Sequence, residues 1–455
     1  MQDKTERLPE QFKKNMKELL GEEEYESYLE SFKQDRLYSL RINTAKISVE
    51  DFLRISPFAL RPIPWIPNGF YYDKEENPAK HPYYFAGLYY LQEPSAMTPA
   101  HVLPVREGDR VLDLCAAPGG KSTALGAKLQ GTGLLVSNDI SASRAKALLK
   151  NIEVFGIDRV LVTCEYPEKL AEHFPEYFDQ ILVDAPCSGE GMFRKDGKLM
   201  TSWMTEGPDF YAPIQKGILN AAALMCKPGG NLVYSTCTFS RKEDEDNIRE
   251  FLMKHPDFSL TEIEAYEGFV RGYDLPEAIR LFPHHLEGEG HFVALLHREG
   301  ETVGRNASGP AKGSFKIPPE MEEFFSHCHY DLSELQLQQQ GDMVMACDPG
   351  LSFLKGLRIL RSGLLLGESK KNRFEPSQAL AMALTMEEYD TILNLKAEDP
   401  RTVKYLKGET IDYAPGEKTG KEKDVLICVD GYPLGWGRDM KGSLKNRYLP
   451  GWRWM

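Results

Sequence analysis

The chain has 455 residues, 42% of them hydrophobic, eight cysteines and a formal net charge of −13. That length asks for two or three domains rather than one, and eight cysteines without a CxxC pair exclude a disulfide scaffold and a zinc template, leaving the reduced thiols of a cytoplasmic protein. A polar start, Met1-Gln2-Asp3-Lys4-Thr5-Glu6-Arg7, and the want of any apolar run near ~20 residues argue against a secretory leader and a membrane span.

In chain order, residues 8–33 read as two helices, Leu8–Leu20 and Glu22–Phe32, broken at Gly21. Leu37–Asn43 is strand-like, and prolines and aromatics follow (Pro57, Pro62, Pro64, Trp65, Pro67), giving a small α+β module over residues 1–92. The aromatic runs Tyr71-Tyr72, Tyr83-Tyr84-Phe85 and Tyr89-Tyr90 could stack unpaired bases, although residues of this kind are more often core.

Residues 93–298 alternate strands and helices, the pattern of a parallel sheet covered on both faces. Strands are expected at Arg110–Leu114, Gly133–Asn138, Arg159–Thr163, Phe178–Val183, Asn231–Ser235 and His291–His297, and helices at Ser122–Leu129, Ser141–Phe155 and Tyr211–Cys226. Lys227-Pro228-Gly229-Gly230 reads as a helix stop followed by a turn. Residues 299–315, rich in Gly, Ser, Ala and Pro, read as a linker. Residues 316–455 hold a helical piece and then short apolar runs split by glycines, such as Leu357–Leu360 and Val425–Val429, and read as a compact β-rich domain.

The acidity is uneven along the chain. Residues 350–455 carry 18 Lys/Arg against 14 Asp/Glu, and Lys418–Met455 eight against four. A basic surface able to hold phosphates is one reading; a merely solvated basic surface fits charge alone as well.

Three strand ends carry the chemistry. After Val111-Leu112-Asp113-Leu114 comes Cys115-Ala116-Ala117-Pro118-Gly119-Gly120-Lys121, a glycine turn that opens a helix. Such turns let a ligand approach the backbone, and a helix N-terminus favours an anion. Asp139 ends the next strand, at the separation expected of an acid that grips ribose hydroxyls. The turn is not GxGxxG, which weakens a nicotinamide dehydrogenase. The other two strand ends carry Asp184-Ala185-Pro186-Cys187-Ser188-Gly189 and Tyr234-Ser235-Thr236-Cys237-Thr238. A nucleotide-cofactor turn with two loop-borne cysteines points to methyl transfer to C5 of a pyrimidine. C5 of cytosine is a poor nucleophile, and a thiolate adding to C6 pushes electron density onto it. Methylation of an exocyclic amine needs no thiol and usually carries Asn/Asp-Pro-Pro-aromatic where this chain has Asp184-Ala185-Pro186-Cys187.

On these residues the chain resembles the Sun-type RNA cytosine-5 methyltransferases. The run Pro186-Cys187-Ser188-Gly189-Glu190-Gly191-Met192-Phe193-Arg194-Lys195-Asp196 resembles, within them, the bacterial small-subunit rRNA methyltransferase F subgroup. His81–Gly87 leading to Gln92–Met97, and the end Leu444–Arg453, are similar to that subgroup's entry into its catalytic domain and to the close of its C-terminal domain. The resemblance implies a Rossmann-like methyltransferase domain over 93–298, an RNA-binding N-terminal module and a PUA-like RNA-binding domain over 316–455 that adds RNA affinity and not chemistry. It implies S-adenosyl-L-methionine as cofactor and RNA as partner, 16S rRNA or the small ribosomal subunit first, with no metal and no membrane, and a monomer.

Carried over residue by residue, the resemblance makes Cys237 the nucleophile and Cys187 the thiol that assists release. Asp184 lies beside the cofactor and against the cytosine edge near N3, where it must be partly protonated or share a proton to act as an acid. Cys115, Ala116, Ala117, Pro118, Gly119, Gly120, Lys121 and Asp139 hold the cofactor, Glu165 or Tyr166 borders the adenine, and Lys121 is a candidate neighbour for Cys237. Cys226, Cys328, Cys347 and Cys428 read as packing thiols, Cys115 and Cys164 as structural thiols near the cofactor. His284, His285 and His291 make no convincing metal set. The same chemistry on tRNA, and an RNA-binding assembly factor, remain the alternatives.

Overall fold

The computed structural model describes residues 4–301, 315–351 and 354–454; all but the ends of the linker expected over 299–315 lies outside them. A ten-stranded mixed sheet forms the centre. Its parallel part consists of β1 (Arg110–Asp113), β2 (Leu134–Asn138), β3 (Val160–Thr163), β4 (Phe178–Asp184) and β5 (Cys226–Thr236), ordered β5-β4-β1-β2-β3. β6 (His291–Arg298) runs antiparallel beside β5. The strands are apolar at nearly every position because both faces are covered. Leu112, Val136, Ile181 and Leu232 pack into one core, and their neighbours Val111, Leu135, Leu182 and Val233 into the other.

The six expected strands are all present, two of them starting one residue later than expected and one starting five residues earlier. The helix Pro208–Met225 runs straight into β5 at Cys226, and Lys227–Gly230 is no free turn. It forms a bulge opposite the Phe178–Gln180 stretch of β4. Pro228 cannot donate to a ladder and Gly229 adopts φ 79°, so the extra residues loop out while Lys227 Nζ reaches Asp179 Oδ1 at 2.6 Å.

The N-terminal helices span Glu10–Leu20 and Glu22–Ser31, separated by Gly21 at φ 80°. Phe12 and Tyr28 pack against Phe193, Trp203 and Phe239, which flank the two cysteine-bearing loops. A four-stranded sheet follows, with Tyr38–Ile42 at its centre. Tyr71, Tyr83 and Tyr89 are buried, so the first residue of each aromatic run serves the core and not base stacking.

The C-terminal half holds a four-stranded sheet, from Gln336–Gln340 to Arg373–Pro376, and a five-stranded sheet built on Asp424–Val429 and Tyr432–Asp439. The second shares a core with the N-terminal module, Leu40, Ile42 and Phe70 meeting Val425, Ile427 and Trp452. Leu357–Leu360, expected inside a separate β-rich domain, behaves otherwise. It leads into β7 (Ile359–Ser362), which pairs antiparallel with β3 and extends the central sheet. Without it β3 would present a row of unpaired backbone groups at the sheet edge. Among the described residues no helix is long and apolar enough to cross a membrane.

Candidate active site at the carboxyl ends of the parallel strands

The strand order reverses at β1, which has β2 on one side and β4 on the other. In open α/β sheets that crevice receives ligands. The turn Cys115–Lys121 lies there and feeds the helix Gly120–Lys128. Gly119 takes φ 112°, and a Cβ on it would stand 3.1 Å from Leu148 Cδ1, so only glycine lets the turn close this tightly. The first-turn N–H groups of that helix have no intrahelical acceptor and suit a carboxylate.

Asp139 is buried beside the turn. Its Oδ1 accepts from Ser141 N at 2.9 Å and its Oδ2 from Ala117 N at 3.3 Å, with Arg144 Nη2 at 3.4 Å. Asp113, to which the sequence reading gave no role, is fully buried at the end of β1. Ser122 Oγ donates to its Oδ2 at 2.7 Å, while Oδ1 has no protein partner. Burial pushes its carboxyl up to about 7, against the Ser122 hydrogen bond. A buried polar atom left open at this place is a mark of an absent ligand. An anion-binding helix end, a ribose-spaced acid and an open buried oxygen together fit S-adenosylmethionine.

The two candidates after β3 fare differently. Tyr166 is 62% exposed. Glu165 is 2% exposed, and its carboxylate is engaged by Lys169 Nζ at 2.9 Å, Arg358 N at 2.7 Å and Arg358 Nη2 at 3.2 Å. Burial opposes the charge, but the Lys169 and Arg358 bonds prevail and hold the group down to about 2.

The thiols meet across two adjacent strands. Cys187 follows β4, Cys237 follows β5, and their Sγ atoms are 3.3 Å apart. Cys237 N also donates to Cys187 Sγ at 3.3 Å. The Cys187 thiol is raised well above its ordinary value, first by the hydrogen bond with Cys237 and then by burial, so Cys187 keeps its proton. Both side chains are part-exposed, whereas Cys164, Cys226, Cys328, Cys347 and Cys428 are buried. Cys115 is part-exposed, with its thiol pushed up by burial and by the acids around it.

Asp184 lies at the end of β4 between Lys121 and Ser235. Lys121 Nζ donates to Oδ2 at 2.7 Å and Ser235 Oγ to Oδ1 at 2.8 Å. Burial works to raise the carboxyl, but the Lys121 charge, His291 and these bonds hold it below the usual carboxylate range. Of the two expected states, a partly protonated Asp184 or one that shares a proton, the Lys121 hydrogen bond fits the second. Burial works to lower the Lys121 ammonium, yet it stays raised, through Asp184 first and with Asp113 and Cys237 also contributing.

A polar frame holds the cysteine loops. Glu243 Oε2 accepts from Ser188 N at 3.0 Å and Gln215 Nε2 at 2.8 Å, and Gln215 Nε2 also donates to Pro186 O at 2.9 Å. Glu190 accepts from Trp203 Nε1 at 2.9 Å and Phe239 N at 3.0 Å, and Gly191 N donates to Cys237 O at 2.9 Å. Behind them Arg280 pairs with Asp244 at 3.1 Å and Glu245 at 2.6 Å, all three fully buried. His291 is buried next to this site with Nδ1 2.8 Å from Ser95 Oγ, and burial lowers it to about 4, so it is neutral. His284 and His285 lie elsewhere, hydrogen-bonded to Glu24 of the second N-terminal helix at 3.2 and 2.6 Å. Single residues gave no signal for Glu243, Gln215 or Arg280; only their tertiary contacts mark them.

The fold, the cofactor crevice and the paired thiols define an S-adenosylmethionine-dependent RNA methyltransferase. The model of the 16S rRNA methyltransferase RsmB/F family matches residues 100–297, and its companion models match 8–94 (N-terminal domain), 323–384 (first C-terminal domain) and 393–454 (PUA domain). Ribosomal RNA small subunit methyltransferase F of Erwinia tasmaniensis is 31% identical over 97% of this chain and 96% of its own length. Its namesake in Shewanella oneidensis is 32% identical over 90% and 89%. The chain belongs to this family. Among solved structures, a methyltransferase homologue from Pyrococcus horikoshii is 28% identical at TM-score 0.57, covering 65% of this chain and 98% of its own. NSun6 from Pyrococcus horikoshii, crystallised with SFG, shares the fold at TM-score 0.56 and 22% identity, over 64% of this chain and 99% of its own.

Proposed function

We propose that the chain methylates C5 of cytosine in small-subunit rRNA through a covalent bond between Cys237 Sγ and C6. The observation that carries this reading is the 3.3 Å contact of the two thiols beside the Lys121–Asp184 pair, at the strand ends next to the cofactor turn. The relatives named for small-subunit rRNA supply the substrate.

The cofactor supplies a methyl group activated on a sulfonium sulfur. The turn Cys115–Lys121, Asp139 and Asp113 hold it at the crevice. Cys237 attacks C6 and the ring electrons move toward C5 and N3. Asp184 faces the N3 edge, and Lys121 is the proton donor in reach of it. C5 would take the methyl group as its bond to the sulfonium sulfur breaks and leaves a neutral thioether; the C5 proton then passes to water, the C5–C6 double bond re-forms, N3 returns its proton to Lys121, and the C6–S electrons return to Cys237 as its thiolate. Cys187, which keeps its own proton and touches the nucleophile, assists that release. The target base must leave its stack to reach Cys237, so the cytosine is looped, single-stranded or exposed during assembly. Domain limits of 1–92, 93–298 and 316–455 remain our division of the chain, with the outer parts serving RNA, and a cytoplasmic monomer is the form we propose.

Bisulfite sequencing of rRNA and tRNA from a deletion strain tests this. A protected cytosine in small-subunit rRNA should disappear on deletion and return with the wild-type gene but not with Cys237→Ala. Loss in tRNA alone would move the substrate; loss in neither would end the reading.

A further inference from the structure

The end of β3 is one place where the two halves of the chain meet. Glu165 stands there on a loop, nearly fully buried and ionised. A buried carboxylate is tolerated only when its oxygens are satisfied by donors, preferably charged ones. Three donors do this, and two of them belong to Arg358, 193 positions further along the chain: its backbone N–H on Oε1 and its Nη2 on Oε2. Lys169 supplies the third. Arg358 is itself anchored, because its carbonyl accepts from Cys164 N at 2.9 Å and β7 continues the pairing along β3. Glu165 is also locked to the neighbouring strand end. Its N–H donates to Asn138 Oδ1 and its carbonyl accepts from Asn138 Nδ2, both at 2.9 Å, and Asn138 directly precedes Asp139. A shift of Glu165 would therefore be transmitted to the acid assigned to the ribose.

We propose that Arg358 is a positioning residue of the cofactor site: the C-terminal half of the chain, through the Arg358–Glu165 clamp, completes the wall against which the adenosine end of S-adenosylmethionine rests. This depends on the reading that residues after β3 border the adenine. Arg358 addresses both oxygens of the one carboxylate, its backbone N–H reaching Oε1 and its Nη2 reaching Oε2. The Arg358 side chain stays 57% exposed, so its guanidinium is open to solvent at the mouth of the site while Glu165 lies beneath. On this proposal the residues beyond 316, expected to add RNA affinity and not chemistry, serve cofactor binding as well.

The test uses the full-length protein with Arg358→Ala, Arg358→Lys and Glu165→Ala, measured by calorimetry with S-adenosylmethionine and by methylation kinetics. Arg358→Ala should raise Kd and KM for the cofactor about five- to twenty-fold, the loss of one charge-assisted bond to a buried carboxylate. Its kcat at saturating cofactor should stay near wild type, and Arg358→Lys should recover part of the affinity. Glu165→Ala should lose at least as much as Arg358→Ala. If Glu165→Ala weakens binding and Arg358→Ala does not, the clamp is wrong while the adenine reading stands. If Glu165→Ala binds normally, the adenine reading falls and the proposal with it; a loss confined to Arg358→Ala would mean that Arg358 does not act through Glu165. Should Arg358→Ala not fold, Arg358→Met keeps the stem and removes the side-chain bond, and wild-type affinity and KM in it would overturn the proposal.

Discussion

The Sγ atoms of Cys187 and Cys237 lie 3.3 Å apart although 50 positions separate them in the chain. Parallel pairing of β4 with β5 sets Asp184 opposite Ser235, and both cysteines follow a few residues on. Proximity predicts different failures for the two thiols. Cys237→Ala removes the nucleophile, so no adduct forms and methylation stops. Cys187→Ala permits attack and methyl transfer but slows release, so a denaturation-resistant protein–RNA complex should accumulate. The double variant should form none, because attack precedes release. A denaturing gel with labelled RNA and S-adenosylmethionine reads all three; trapping by Cys237→Ala instead would reverse the roles.

The Lys121–Asp184 pair should govern the acid limb of the pH profile. Asp184 is depressed below its ordinary value of 3.8, so the stability it adds is present above that pH and is lost as pH falls through the lower folded value. Lys121 is raised, so its share is present below its ordinary value of 10.5 and is lost as pH rises through the higher folded value. Lys121→Met removes the cation while burial remains. The acid limb of single-turnover methylation should then move to higher pH. An unmoved limb in an active variant would show that Asp184 does not set it.

Cofactor affinity should depend on Asp139. Asp139→Ala removes charge-assisted hydrogen bonds worth about 1.5–3 kcal/mol each, so binding should weaken by at least about tenfold. Asp139→Asn keeps the shape and loses the charge, and it should fall between. Calorimetry with S-adenosylmethionine at a pH near 7 gives the comparison, and unchanged affinity in folded Asp139→Ala would remove this residue from the site.

Arg280 should matter for stability more than for binding. It is fully buried between Asp244 and Glu245, and its Nη1 donates to Phe239 O at 3.0 Å. Arg280→Ala leaves two buried carboxylates without a counter-charge, a loss of about 3–5 kcal/mol. Asp244 is already raised well above the ordinary range, by burial first, so the penalty should shrink in acid as the Asp244 carboxyl takes a proton. Urea melts at neutral and mildly acidic pH should show the gap narrowing; a constant gap would contradict this account.

Local pattern alone determined the alternating strands and helices of residues 93–298, the glycine turn, Asp139 at the next strand end, and the two cysteines beyond β4 and β5. These are short-range properties: apolar runs report a sheet buried on both faces, and strand-to-loop boundaries follow from the residues that cross them. Tertiary structure decided what depends on neighbours distant in sequence. Leu357–Leu360 is as apolar as any strand of a separate domain, and nothing local told that it would close the edge of β3 and bring Arg358 onto Glu165. Tyr71, Tyr83 and Tyr89 carry the same side chain whether they stack bases or fill a core, and burial alone separates the two. The partner with which Asp184 shares its proton was hidden for the same reason: a carboxyl's charge is set by the cations within a few ångströms, and Lys121 comes near it only when the turn after β1 packs against the end of β4.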